Sequence, residues 1–258
     1  MAGPFDPERA EGGDAMAGGE PREPRGGGWR QVYRERRFGT LLVILVVLTA
    51  GPPVLLGFGL SEGWFERLLS LLMLAAILSL CFERRQRLFA LAVGIPSMLF
   101  SLGGHALPGE VSLQVLFVGQ LCEVLFLFGA AGLVVRSLFT ARTLTFDSIF
   151  GAVCGYLCLG LGWAVLYSLL ESFQPGSFAI SRSLVTGGEA SRPLPHVLTY
   201  YSFVTLTTVG FGDISPVSPA ARTLSWVEAV TGQFYLAVIV AALVSLLVAK
   251  GQRDDVRR

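Results

Sequence analysis

Lysine is almost missing from this chain. Lys250 is the only one, and charged residues of every kind make up 15% of the 258 positions. The net charge is +1, so no basic field points to nucleic acid. Histidine is nearly as scarce, and His105 and His196 lie in separate predicted loops. The four cysteines, Cys81, Cys122, Cys154 and Cys158, all fall inside apolar blocks. That placement excludes a disulfide framework between exposed loops and reads as small buried packing residues. No metal-ligand cluster, nucleophile–base pair or phosphate-cradling loop emerges, so an enzyme is not expected and no cofactor is implied. What the chain has instead is 52% hydrophobic content, too much for a soluble domain of this size.

The apolar residues fall in blocks near the ~20 residues that span a bilayer. Six spans are predicted, at about Gly39–Gly59, Trp64–Phe82, Leu88–Leu102, Ser112–Leu138, Phe146–Leu170 and Ala221–Ala249. Pro52 and Pro53 kink or end the first, and the third is short and holds Pro96. A seventh apolar segment, about Pro195–Thr207, is too short to cross and reads as re-entrant. Residues 1–37 are rich in Gly, Pro, Glu and Arg, without an apolar run after Met1. They are expected to be a disordered, basic, cytoplasmic tail and not a signal peptide. Arginine clusters precede the first span, join the second to the third and the fourth to the fifth, and follow the sixth. With six spans all four clusters share one side, so both termini are expected in the cytoplasm of a multi-pass plasma (inner) membrane protein.

The stretch Thr205-Leu-Thr-Thr-Val-Gly-Phe-Gly-Asp213 alternates side-chain-bearing residues with glycine. Glycine adopts backbone angles that other residues resist, and alternating angles can turn successive carbonyls toward one side. Together with Tyr200-Tyr-Ser-Phe-Val-Thr-Leu-Thr-Thr208, this string resembles the pore helix and selectivity filter of potassium channels, with Phe211 where tyrosine is commonest. The resemblance covers roughly Phe146–Ala249; the earlier spans match only in number. It implies an all-α membrane protein with six transmembrane helices, a re-entrant pore helix and a tetrameric pore. The implied partition is 38–140 as a four-helix domain, 141–249 as the pore domain and 250–258 as a short cytoplasmic tail. One filter per chain implies four chains around an axis, a homotetramer in membrane lipid with permeant K+ as its cargo.

By the same resemblance, backbone oxygens of Thr208, Val209, Gly210 and Phe211 coordinate potassium, the Thr208 hydroxyl adds the innermost ring, and Gly212 permits the backbone. Thr207 and Asp213 support the filter, with Tyr201 as the aromatic partner of Asp213. Phe211 lacks the hydroxyl that ties the filter to its surroundings. Gly232, twenty residues beyond Gly212, matches the family's gating hinge; close packing behind the filter accounts for it equally well. Glu228 is expected to brace the back of the pore helix. Gly151, Gly155, Cys158 and Gly162 share one face of the fifth span, expected to pack against the sixth.

The fourth predicted span carries a single basic residue, Arg136, at its edge. Each charge crossing the field contributes about 2.3 kcal/mol per 100 mV, so steep voltage dependence has no source here. Glu123 in that span is a structural acid or a proton-sensing one. Lys250–Arg258 is too short for a cytoplasmic regulatory domain, and the 171–192 loop has no legible ligand. A less selective monovalent cation channel and a non-conducting sensor or scaffold are the competing readings.

Overall fold

The computed structural model describes residues 37–56, 88, 91–96, 99–100, 110–140, 146–181 and 195–256. The second predicted span and the disordered-tail expectation for residues 1–37 therefore lie outside the described residues, apart from Arg37. The third span is described only in short helical pieces at 91–96 and 99–100. The principal elements are α1 (Arg37–Leu56), α2 (Glu110–Thr140), α3 (Phe146–Phe173), β1 (Phe178–Ile180), α4 (Pro195–Leu206), β2 (Ile214–Pro216) and α5 (Pro219–Val256). Helix α1 runs past Pro52 and Pro53 to Leu56 and does not end at the proline pair. Helix α5 runs past Ala249 to Val256, so most of the expected short tail is a continuation of the helix.

Among the described residues, three helices are long and apolar enough to cross a membrane: Gln114–Ser137, Phe146–Phe173 and Pro219–Ser245. Helix α1 adds a shorter apolar stretch, Phe38–Gly51. Helix α4 has 12 residues, about 18 Å at 1.5 Å per residue, against the ~30 Å of a hydrocarbon core.

Helix ends follow their sequence signals. Pro219 opens α5 where a missing backbone N–H costs nothing. Ser218 caps that helix, its hydroxyl accepting from the Ala221 amide at 3.1 Å. Asp147 lies in the first turn of α3, and one of its oxygens accepts the Phe38 amide at the start of α1, 3.0 Å away. Helices α1 and α3 therefore begin at the same end. Cys154 reinforces this contact through its thiol, 3.5 Å from the Phe38 carbonyl.

Helix α2 runs antiparallel to α3. Phe117 meets Phe173, Phe128 meets Trp163, and Val134 lies beside Gly155. Helix α5 is antiparallel to α3 as well, with Tyr167 beside Glu228 and Tyr235 donating to the Ala152 carbonyl at 2.6 Å. The core between these helices centres on Leu45, Leu127, Tyr167 and Leu206. The small-residue face of α3 does pack closely, but not chiefly against α5. Gly151 lies under the Phe38 ring of α1, and Gly162 lies against Leu127 and Phe128 of α2. Of the three glycines on that face, Gly155 is the one that meets α5, at Tyr235. An α-helix with small residues at steps of three and four admits several neighbours, and here α1 and α2 take most of that face.

Strands β1 and β2 form a two-stranded antiparallel ribbon with Phe178 opposite Pro216 and Ile180 opposite Ile214. Three-residue strands are too short to give a sequence period, and the expected all-α chain did not include them. Cys122, Cys154 and Cys158 are free thiols.

Candidate functional site

The chain leaves α4 through a tight turn and enters the glycine-bearing ribbon. Thr207 and Thr208 donate their amides to Phe203 and Thr205 carbonyls at 3.1 and 2.9 Å. The Val204 carbonyl then accepts from both Val209, at 3.0 Å, and Gly210, at 3.4 Å. The Thr207 hydroxyl folds back onto the Phe203 carbonyl at 2.6 Å. Beyond that turn the backbone alternates. Thr208, Gly210 and Gly212 have φ of 59°, 58° and 80°, while Val209 and Phe211 stay at negative φ. Left-handed angles cost a β-branched residue most, so Thr208 is held there by its surroundings. Alternation of this kind is the backbone form that the Gly-Phe-Gly string calls for.

Support behind the ribbon comes from α5. Gly232 lies so close to the Leu206 carbonyl that a Cβ there would collide with it. Close packing therefore accounts for Gly232 within an unbroken α5. Tyr156 of α3 donates to the same carbonyl at 3.3 Å. Gln233 reaches under the ribbon, its amide nitrogen 3.3 Å from the Thr208 hydroxyl. Thr208, Ala229, Val230, Gln233, Phe234 and Ala237 line an open groove of about 530 Å³ at this level.

Glu228 braces the back of α4, where the sequence placed it. It is fully buried, accepts the Tyr167 phenol of α3, and bonds the Ser202 hydroxyl of α4 at 2.5 Å. Ser202 also lies 2.7 Å from the Gly160 carbonyl. One side-chain cluster thus ties α3, α4 and α5 together where an unpaired acid in lipid would be expensive. Gly160 was not singled out by the sequence reading. A Cβ there would come within 2.5 Å of the Phe203 ring, so its smallness lets α4 sit against α3. Nothing in a glycine-rich apolar helix distinguishes it from its neighbours.

At the far end of the ribbon, Asp213 is held by Tyr200 and not by Tyr201. The Tyr200 phenol donates to Asp213 at 2.7 Å, and the bond to that carboxylate pushes the phenol above its usual pKa range. Tyr201 faces the other way. Its hydroxyl pairs with Ser225 at 2.6 Å, and its ring packs on Tyr167 and Phe178. Adjacent residues on a helix point about 100° apart, so the two tyrosines cannot serve one side. Tyr200 also stacks on Phe211, with centroids 6.5 Å apart and planes 2° from parallel. Glu123 lies half-buried on α2, away from this constellation in sequence and element.

Residues 196–249 match the family model described as an ion channel, a span that takes in α4, the ribbon and most of α5 but not α3. A membrane-embedded ion channel, and not an enzyme, is the class that this domain and its apolar helices define. Two bacterial proteins named LctB are similar to the chain. The one from Bacillus caldotenax is 32% identical over 120 residues, covering 43% of this chain and 84% of the relative. The one from Geobacillus stearothermophilus is 32% identical over 128 residues, covering 50% and 92%. No solved structure matches. The chain belongs to the family of these LctB proteins.

Proposed function

We propose that the protein is a potassium-selective channel that conducts passively through a homotetrameric pore. The observation that carries this reading is the alternation of positive and negative φ from Thr208 to Gly212. Four such ribbons around an axis offer stacked carbonyl rings at Thr208, Val209, Gly210 and Phe211, which replace the hydration shell of K+. The C-terminal end of α4 adds a partial negative charge of about half an elementary unit per helix, favourable to a cation near mid-membrane. Val209 and Phe211 are 55% and 69% exposed in the single chain, as expected of a ribbon that neighbouring subunits cover.

The six-span arrangement with cytoplasmic termini is part of the same proposal. Helices α1 and α3 start at one end, and α2 is antiparallel to α3. If all of them cross, an even number of crossings separates α1 from α2, which the two apolar blocks between them supply. Within 110–140 the expected lack of a charge ladder gives a weakly voltage-dependent or voltage-independent channel. A steep, saturating conductance–voltage curve in symmetric potassium would refute that part.

A less selective cation channel is favoured by one observation: Phe211 has no hydroxyl and is held by stacking on Tyr200 alone among the described contacts. Vesicles carrying the purified protein and loaded with K+ or Na+ separate the two. Rapid K+ efflux with Na+ retained supports the proposal. Equal efflux supports the less selective reading, and no efflux of either sinks both.

A further inference from the structure

Glu171 is a second buried acid, in the last turn of α3, and conduction as described above makes no use of it. Its two carboxylate oxygens accept the amides of Gly176, at 2.6 Å, and Ser177, at 3.0 Å. Gly176 sits at φ 83°, which closes the chain back over the helix end and aims both amides at one carboxylate. Ser177 is fully buried, and its hydroxyl donates to the Gln174 carbonyl at 2.7 Å. Its own carbonyl accepts from Val217 at 2.8 Å and Ser218 at 3.3 Å, next to the cap of α5. From this anchor β1 runs along β2, anchored by Phe178 against Tyr167 and Tyr201. Past its end, the Ser181 amide donates to the Asp213 carbonyl at 2.9 Å.

Asp213 is the residue that follows the ribbon's last glycine. The ribbon's exit is therefore gripped twice, by Tyr200 on the Asp213 side chain and by the β1 strap on its main chain. We infer that Glu171 is a positioning residue for the outer end of the filter, acting through the β1 strap and the Ser181–Asp213 bond. Ser177, fully buried, has no solvent to replace a lost carboxylate partner, so loss of Glu171 leaves its amide without one. The strap then loses one of its anchors, and the carbonyls at Phe211 and Gly212 lose their register. The selectivity half of this inference rests on the filter reading; the mechanical half does not.

The test uses the full chain in lipid vesicles, comparing wild type with Glu171→Gln and with Ser181→Pro, which deletes the donor to Asp213. Glutamine keeps one acceptor oxygen and loses the second. Amide hydrogen exchange across 209–217 is expected to rise about tenfold in both variants, equivalent to about 1.4 kcal/mol of lost restraint, while exchange across 226–240 stays at the wild-type rate. Unchanged exchange in 209–217, or an equal rise throughout α5, overturns the inference. If Glu171→Gln does not fold, Ser181→Pro decides by the same criteria. In the same vesicles, K+ over Na+ discrimination falls in the variants. Discrimination equal to wild type overturns the selectivity half, whereas a wild type without K+ flux sinks the filter reading and leaves the exchange result to judge the strap.

Discussion

Helices α3 and α5 have nearly the same length of apolar span and nearly the same hydropathy, yet their surroundings differ. The protomer buries 61% of the most apolar stretch of α3 and only 17% of the corresponding stretch of α5. Helix α3 meets α1, α2, α4 and α5 through small residues and rings. Helix α5 touches the protomer along one narrow line, through Ser225, Glu228, Gly232, Tyr235 and Ile239, and leaves Trp226, Val230, Phe234 and Val240 exposed. Hydropathy thus reports only that a helix leaves water, not what covers it. The line that α5 does bury carries the polar and close contacts that hold α4 and the ribbon, so its buried face fixes the site. Its open face is available to other subunits, to lipid or to an ion path.

Substitutions on the two faces of α5 should break apart in size. The largest effect is expected at Gly232, where Gly232→Ala forces a methyl group onto the Leu206 carbonyl; overpacking of this kind costs about 1–3 kcal/mol and pushes α4 and the ribbon out of line. Thermal unfolding in detergent should shift down, and vesicle K+ flux should vanish. A hinge role alone would instead leave thermal stability unchanged.

Glu228→Leu comes next. It leaves the buried Tyr167 phenol without its acceptor, a loss of about 1–3 kcal/mol, whereas Glu228→Gln keeps an acceptor and should cost less. Equal melting of the two variants would contradict the bracing role. Tyr200→Phe removes one exposed hydrogen bond to Asp213, about 0.5–1.5 kcal/mol, and should loosen selectivity with little change in melting. Tyr201→Phe should do the reverse, since its hydroxyl serves Ser225. The smallest effect on the protomer, within about 0.5 kcal/mol, is expected for Phe234→Ser on the open face of α5. That variant should nonetheless lower the assembled mass seen by light scattering, whereas Val153→Ser on the exposed side of α3 should not.

The ribbon's backbone and the short helix α4 before it were legible because their signals are written in adjacent residues. Gly210 and Gly212 sit at the positions whose φ requires them, and the span limits of α2, α3 and α4 came within a few residues. The bracing acid Glu228 was legible too, because an acid within an apolar helix needs a partner. What stayed hidden depends on helical phase and on pairing between distant segments. Tyr200 and Tyr201 are equivalent in sequence, and only the seating of α4 against α3 decides which one meets Asp213. Gly160 is one glycine among several on α3. Strand β1 exists because Ile214–Pro216 lies beside it, which no local pattern in Phe178–Ile180 announces. The partners of the small-residue face on α3 were misjudged for the same reason: spacing names a face, not its neighbour.

The proposed function stands on potassium selection by the alternating backbone from Thr208 to Gly212. The most direct measurement is the reversal potential of the purified protein in a planar bilayer, with potassium on one side and sodium on the other. A potassium-selective filter places this value far toward the potassium equilibrium potential, and much less far in Gly210→Ala, where a side chain must occupy φ 58°. A wild-type reversal at zero, with current carried equally by both ions, would contradict it.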